Sequence, residues 1–75
     1  MSKTLLRIHK PFDIILIEYD DGVWEACSDQ LPGCEGCGEK RYFALDAFWE
    51  DVELAAACSC DDCSTVQEYV TFETV

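Results

Sequence analysis

The sequence predicts an α+β domain: a small antiparallel β-sheet with one long helix packed on one face, in the order β-β-β-α-β. Short β-rich runs crowd the N-terminal half, an Asp-Gly turn separates two of them, and a single stretch shows a helical period. In that stretch Leu45, Phe48, Trp49, Val52 and Ala56 recur at i, i+3, i+4, i+7 and i+11. That spacing lines one side of a helix, and Tyr42 extends the stripe backward by three.

Thr4–Ile8 is a short apolar run ending at His9-Lys10-Pro11, a first strand or N-terminal arm broken by proline. Phe12–Tyr19 is the strongest strand. Ile14, Ile15, Leu16 and Ile17 are apolar on both faces, which suggests a central position. Asp20-Asp21-Gly22 is a hairpin turn, because Asp-Gly suits a positive φ. Val23–Ser28 returns, with Trp24 and Ala26 on one face and Val23, Glu25 and Cys27 on the other; Cys27 is expected in the core, as small thiols often are. Asp29 to Gly38 reads as a Gly-rich loop that holds a Pro32-Gly33 turn and hides a short third strand. The helix runs from about Lys40 to Ala57, and Cys58-Ser59-Cys60-Asp61-Asp62 stops it with turn-preferring residues. Val66–Thr74 alternates as a last strand of edge character, able to pair with a symmetry mate in a homodimer.

The 75 residues make a single domain, residues 1–75. At this size only about 60–65% of the unfolded chain's surface can be buried, so the core is small. Hydrophobic residues at 49%, with nine aromatics, argue against disorder. The net charge of −11 is the most unusual quantity. Residues 1–41 hold eight acids and all five bases, whereas residues 42–75 hold eight acids and no base. Such a surface excludes direct binding to a nucleic-acid backbone. Neither a signal peptide nor a membrane-length apolar run is evident, so a cytoplasmic location with reduced thiols is expected.

Cys34-x-x-Cys37 and Cys60-x-x-Cys63, with 22 residues between the pairs, match structural zinc on spacing. A helix over 40–57 is about 25 Å long at about 1.5 Å per residue and separates the two pairs, so no metal and no cofactor is expected. Whether Cys34, Cys37, Cys58, Cys60 and Cys63 are thiols, disulfides or metal ligands stays open on sequence. Glu35 and Glu39 beside the first pair disfavour a reactive thiolate. His9 is the only histidine and has no orienting partner in sequence, and no phosphate-binding Gly-rich loop is present. No catalytic residues are expected, and the protein reads as a non-enzyme.

The sharper feature is a column of carboxylates. Asp46, Glu50 and Glu53 stand at i, i+4 and i+7, with Asp51 alongside, and Asp61 and Asp62 continue the charge past the helix. Like charges at this spacing repel, and acids near a helix C-terminus oppose the macrodipole. Each costs a few tenths of a kcal/mol, and no Lys or Arg after Arg41 offsets them.

The chain carries Asp20-Asp21-Gly22-Val23-Trp24-Glu25-Ala26, then Asp29-Gln30-Leu31-Pro32-Gly33-Cys34, then Gly38 and Ala44-Leu45-Asp46-Ala47. In these motifs residues 13–57 resemble the HicB-like antitoxin domain. Lys40-Arg41-Tyr42-Phe43 replaces the family's Thr-x-Glu-Glu helix opening, so its capping chemistry is missing. The resemblance implies the fold and the inhibition of a partner protein, an RNase toxin in that family. In function the acidic surface is similar to phage-encoded DNA mimics, including anti-CRISPR proteins. The expectation is a non-enzymatic inhibitor using Asp46, Glu50, Asp51, Glu53, Asp61 and Asp62 to occupy a basic nucleic-acid-binding surface, that of a CRISPR surveillance complex or of an RNase toxin. A zinc-stapled structural module is the contrasting reading.

Overall fold

The computed structural model describes residues 4–58 and 60–74, without the side chains of Thr4, Asp62 and Thr74. Among the described residues the order is β1 (Thr4–Ile8), β2 (Ile15–Glu18), β3 (Trp24–Cys27), β4 (Glu35–Gly38), α1 (Arg41–Ala57), a 3-10 turn (Asp61–Cys63), α2 (Ser64–Gln67) and β5 (Val70–Thr74). The fold is α+β, with α1 packed on the strands. The strands form two antiparallel sheets where one was expected: β2-β3-β4, and a ribbon of β1 with β5. Pro11 lacks an N–H and separates β1 from β2. The ribbon closes at that break through His9 N–H donating to Tyr69 O at 2.6 Å.

Both glycine turns form as their residues dictate. Gly22 has φ +87° in the hairpin between β2 and β3, where Val23 N–H donates to Asp21 Oδ1 at 3.1 Å. Gly33 has φ +85°, and Cys34 N–H donates to Leu31 O at 3.2 Å. With Pro32 at the second position this is type II turn chemistry. It sets Leu31 and Cys34, both buried, under the helix and delivers the chain into β4, the short strand hidden in the Gly-rich segment.

The helix sits on that strand at closest approach. Ala26 pairs with Gly36 and Trp24 with Gly38, so these four share the face beneath α1. A Cβ on Gly36 would stand 2.5 Å from Ala44 O and 2.7 Å from the Ala47 carbonyl carbon, and would overlap the Phe48 nitrogen. Backbone lies on backbone, and only glycine fits. The buried stripe of α1 is accordingly Ala44, Phe48, Val52 and Ala56, with the small residue at the tightest point. Leu45 and Trp49 flank it half-buried; Trp49 meets Phe48 and Phe12 edge-on at centroid distances of 5.7 and 5.9 Å. Tyr42 does not join the stripe. It is 54% exposed and lies against Phe43, the rings tilted by 53° at a centroid distance of 4.5 Å, because the helix rolls its alanine side onto Gly36.

Three further expectations are corrected. The Phe12–Tyr19 run supplies an edge strand: β3 is central, and Ile15, Leu16 and Ile17 remain 37%, 36% and 36% exposed. The position across β3 from β2 belongs to β4, while β1 pairs away with β5. Cys27 is half-buried on the sheet face opposite α1, since its neighbour Ala26 takes the helix side. The Val66–Thr74 strand begins only at Val70, because Ser64–Gln67 turns as α2. There Val66 enters the core, and the Gln67 amide donates to Ala55 O at 3.4 Å, Ala56 O at 3.5 Å and Cys58 O. Gln67 thus caps α1, whose last turn has no basic residue to serve its carbonyls.

Gly36→Ala should lower stability by about 3 kcal/mol or abolish folding, since the clash is with backbone. Gln67→Ala should cost about 1 kcal/mol. Ile17→Lys on the exposed edge should cost less than about 1 kcal/mol. Urea midpoints at constant m-value measure all three.

Candidate functional site: the acidic face of α1

Burying Ala44, Phe48, Val52 and Ala56 turns the other side of α1 outward, and Asp46, Glu50 and Glu53 are exposed there. Neighbours in this column stand about 5–6 Å apart. No ion pair neutralises them among the described residues, where the one salt bridge is Arg7 Nε to Glu73 Oε2 at 2.8 Å in the β1–β5 ribbon. The other described bases are engaged elsewhere. Lys10 lies over Tyr69 at 5.6 Å, Lys40 over Tyr42 at 5.8 Å and Arg41 over Trp24 at 5.8 Å. The negative end of the helix dipole adds to the field at Glu53.

The other candidate acids separate from this column. Asp51 is half-buried and accepts a hydrogen bond from Glu35 N–H at 3.3 Å, tying α1 to β4. Asp61 is exposed in the 3-10 turn, where its carbonyl accepts from Ser64 Oγ at 2.8 Å. The Asp62 side chain lies outside the described residues.

Apolar residues that the charge pattern does not reveal complete the surface. Glu50, Glu53, Leu54 and Ala57 from α1 and Phe72 from β5 line an open groove of about 340 Å³. Leu54 is 71% exposed. A leucine on the carboxylate side of the helix, four residues after Glu50, is the sequence signal for it. Phe72 has no such signal, since only the docking of β5 brings it there.

The cysteines are divided by the fold. Cys34 is buried in the core, whereas Cys37 pairs with Glu25 on the outer face of β4, so the thiols of this pair point apart. The turn carries Cys34 back along α1 to the level of Asp51. Burial, then the Asp51 carboxylate, raises the Cys34 pKa. Burial, then Glu25, Asp29 and Glu35, raises Cys27. Cys60 is raised by its hydrogen bond with the Cys58 thiol. Upward shifts hold these groups as neutral thiols, the unreactive form. Among the described residues, no three His, Cys, Asp or Glu side chains converge to hold a metal ion. His9 Nε2 lies 2.8 Å from Thr71 Oγ1 at the exposed ribbon.

Timed iodoacetamide labelling at pH 8, read by peptide mass spectrometry, should modify exposed Cys37 early and Cys34 only at the rate of unfolding. Because a raised pKa means that the unfolded chain ionises first, stability should fall as pH climbs above about 8.5. Cys34→Ala should shrink that loss.

No family model, no curated protein and no solved structure matches this chain.

Proposed function

We propose that this protein is a non-enzymatic inhibitor that presents the acidic face of α1 to a basic, nucleic-acid-binding surface on another protein and so blocks DNA or RNA from it. The observation that carries this reading is the column Asp46, Glu50 and Glu53, exposed and without a countercharge among the described residues. A rigid helix holding carboxylates several ångströms apart offers a basic groove the charge spacing of a phosphate strand without the nucleic acid. Among the described residues, Arg7, Lys10, Lys40 and Arg41 make their contacts elsewhere, with Glu73, Tyr69, Tyr42 and Trp24, and none pairs with a carboxylate of this face. Complementary charge of this kind accelerates encounter and excludes wrong partners more than it adds raw affinity. Salt above the physiological range should therefore weaken it steeply. The partner this reading implies is a CRISPR surveillance complex or an RNase toxin.

The test is capture of a partner from host lysate on immobilised protein, followed by competition with duplex DNA or RNA. Neutralising the column (Asp46→Asn, Glu50→Gln, Glu53→Gln) should slow association about tenfold or more and flatten its salt dependence. All three positions are exposed, so the fold should survive. A partner captured equally well by the neutralised protein, or one that still binds nucleic acid while captured, would overturn the reading.

A further inference from the structure

Resting on that reading, we infer that the groove between α1 and β5 seats an arginine side chain of the partner. Its apolar surface comes from Leu54, Ala57 and Phe72, and its carboxylates from Glu50 and Glu53, nearly one helical turn apart. An arginine matches both parts. Its aliphatic stem covers Leu54 and the Phe72 ring, and its planar guanidinium has donors enough to reach both carboxylates. The ring adds attraction for a cation placed over its face. Lysine supplies the charge and the stem but no planar fork.

Other occupants fit less well. A neutral apolar ligand would strip water from two carboxylates and return no hydrogen bond. A second copy brings a net charge of −11, and its Arg7, Lys10, Lys40 and Arg41 are engaged in its own fold. Leu54, 71% exposed, has no packing role in the chain itself that its burial would show, and an arginine stem would cover it.

Titrating ¹⁵N-labelled protein with acetyl-Gly-Arg-Gly-Arg-Gly-amide, its citrulline isostere and its lysine counterpart tests this at low salt. The arginine peptide should produce saturable shifts centred on Glu50, Glu53, Leu54, Ala57 and Phe72. Citrulline should abolish them, and lysine should bind more weakly. Leu54→Asn, which leaves the charge unchanged at an exposed site, should weaken arginine binding about fivefold or more. Affinity indifferent to Leu54→Asn, or shifts spread over all exposed acids, would overturn the groove and leave the inhibitor reading standing. Absence of shifts, or shifts that grow with protein concentration without peptide, would also overturn it. The inhibitor reading fails separately, when partner capture ignores neutralisation of the column whatever the peptide does.

Discussion

Backbone contact between α1 and β4 is the constraint on which the molecule depends. Gly36 has no room for a side chain because the helix crosses it at Ala44, Ala47 and Phe48. Gly38 is nearly as confined, with a Cβ there falling 2.6 Å from that of Phe43. So close an approach fixes the roll of the helix. It sends Phe48 and Val52 into the core beside Leu31, Val66 and Val70, and leaves Asp46, Glu50 and Glu53 outside. Core packing and acidic surface are therefore two consequences of one contact. A slight rotation would expose apolar area at roughly 25 cal/mol per Å² and tip the carboxylates toward the sheet.

Charge and stability pull against each other along the same helix. The first turn of α1 has no acid, the last has no base, and Lys40 gives no side-chain cap. Side-chain helix-end chemistry is thus absent where it is usually found, and tertiary structure supplies it at the C-terminus alone, while a mid-helix carboxylate adds a tie to the sheet. Gln67 reaches from α2 to the final carbonyls, and Asp51 crosses to the β4 backbone. Both groups are tethered by packing of neighbours, Val66 for one and Val52 for the other. With these in place the exposed acids Asp46, Glu50 and Glu53 stand without a countercharge among the described residues.

The sheets divide the remaining labour. The ribbon of β1 and β5 carries Phe72 to the flank of α1, and the three-stranded sheet carries Gly36 beneath it. Its outer face keeps Ile15, Ile17, Cys27 and Cys37 away from the helix. Of the four cysteines whose spacing resembles a zinc framework, Cys34 lies in the core, Cys37 on the outer sheet face, and Cys60 and Cys63 beyond the end of α1.

Local sequence determined what local chemistry controls. The Asp20-Asp21-Gly22 hairpin, the Pro32-Gly33 turn, the extent of α1 and the relative placement of Asp46, Glu50 and Glu53 follow from φ preferences and helical period, and all were legible. What tertiary structure decided depends on residues distant in the chain. Ile14–Ile17 has the composition of a central strand, but the pairing of β1 with β5 left β2 at an edge. Tyr42 fits the apolar period, but the glycine under Ala44 rotated it outward. Val66-Gln67 reads as the start of the last strand, but the burial of Val66 and the carbonyls of α1 drew it into the helical turn Ser64–Gln67. The acidic column was readable because helical geometry alone spaces it. The groove beside it was not, because Phe72 and Leu54 meet only when β5 docks against α1.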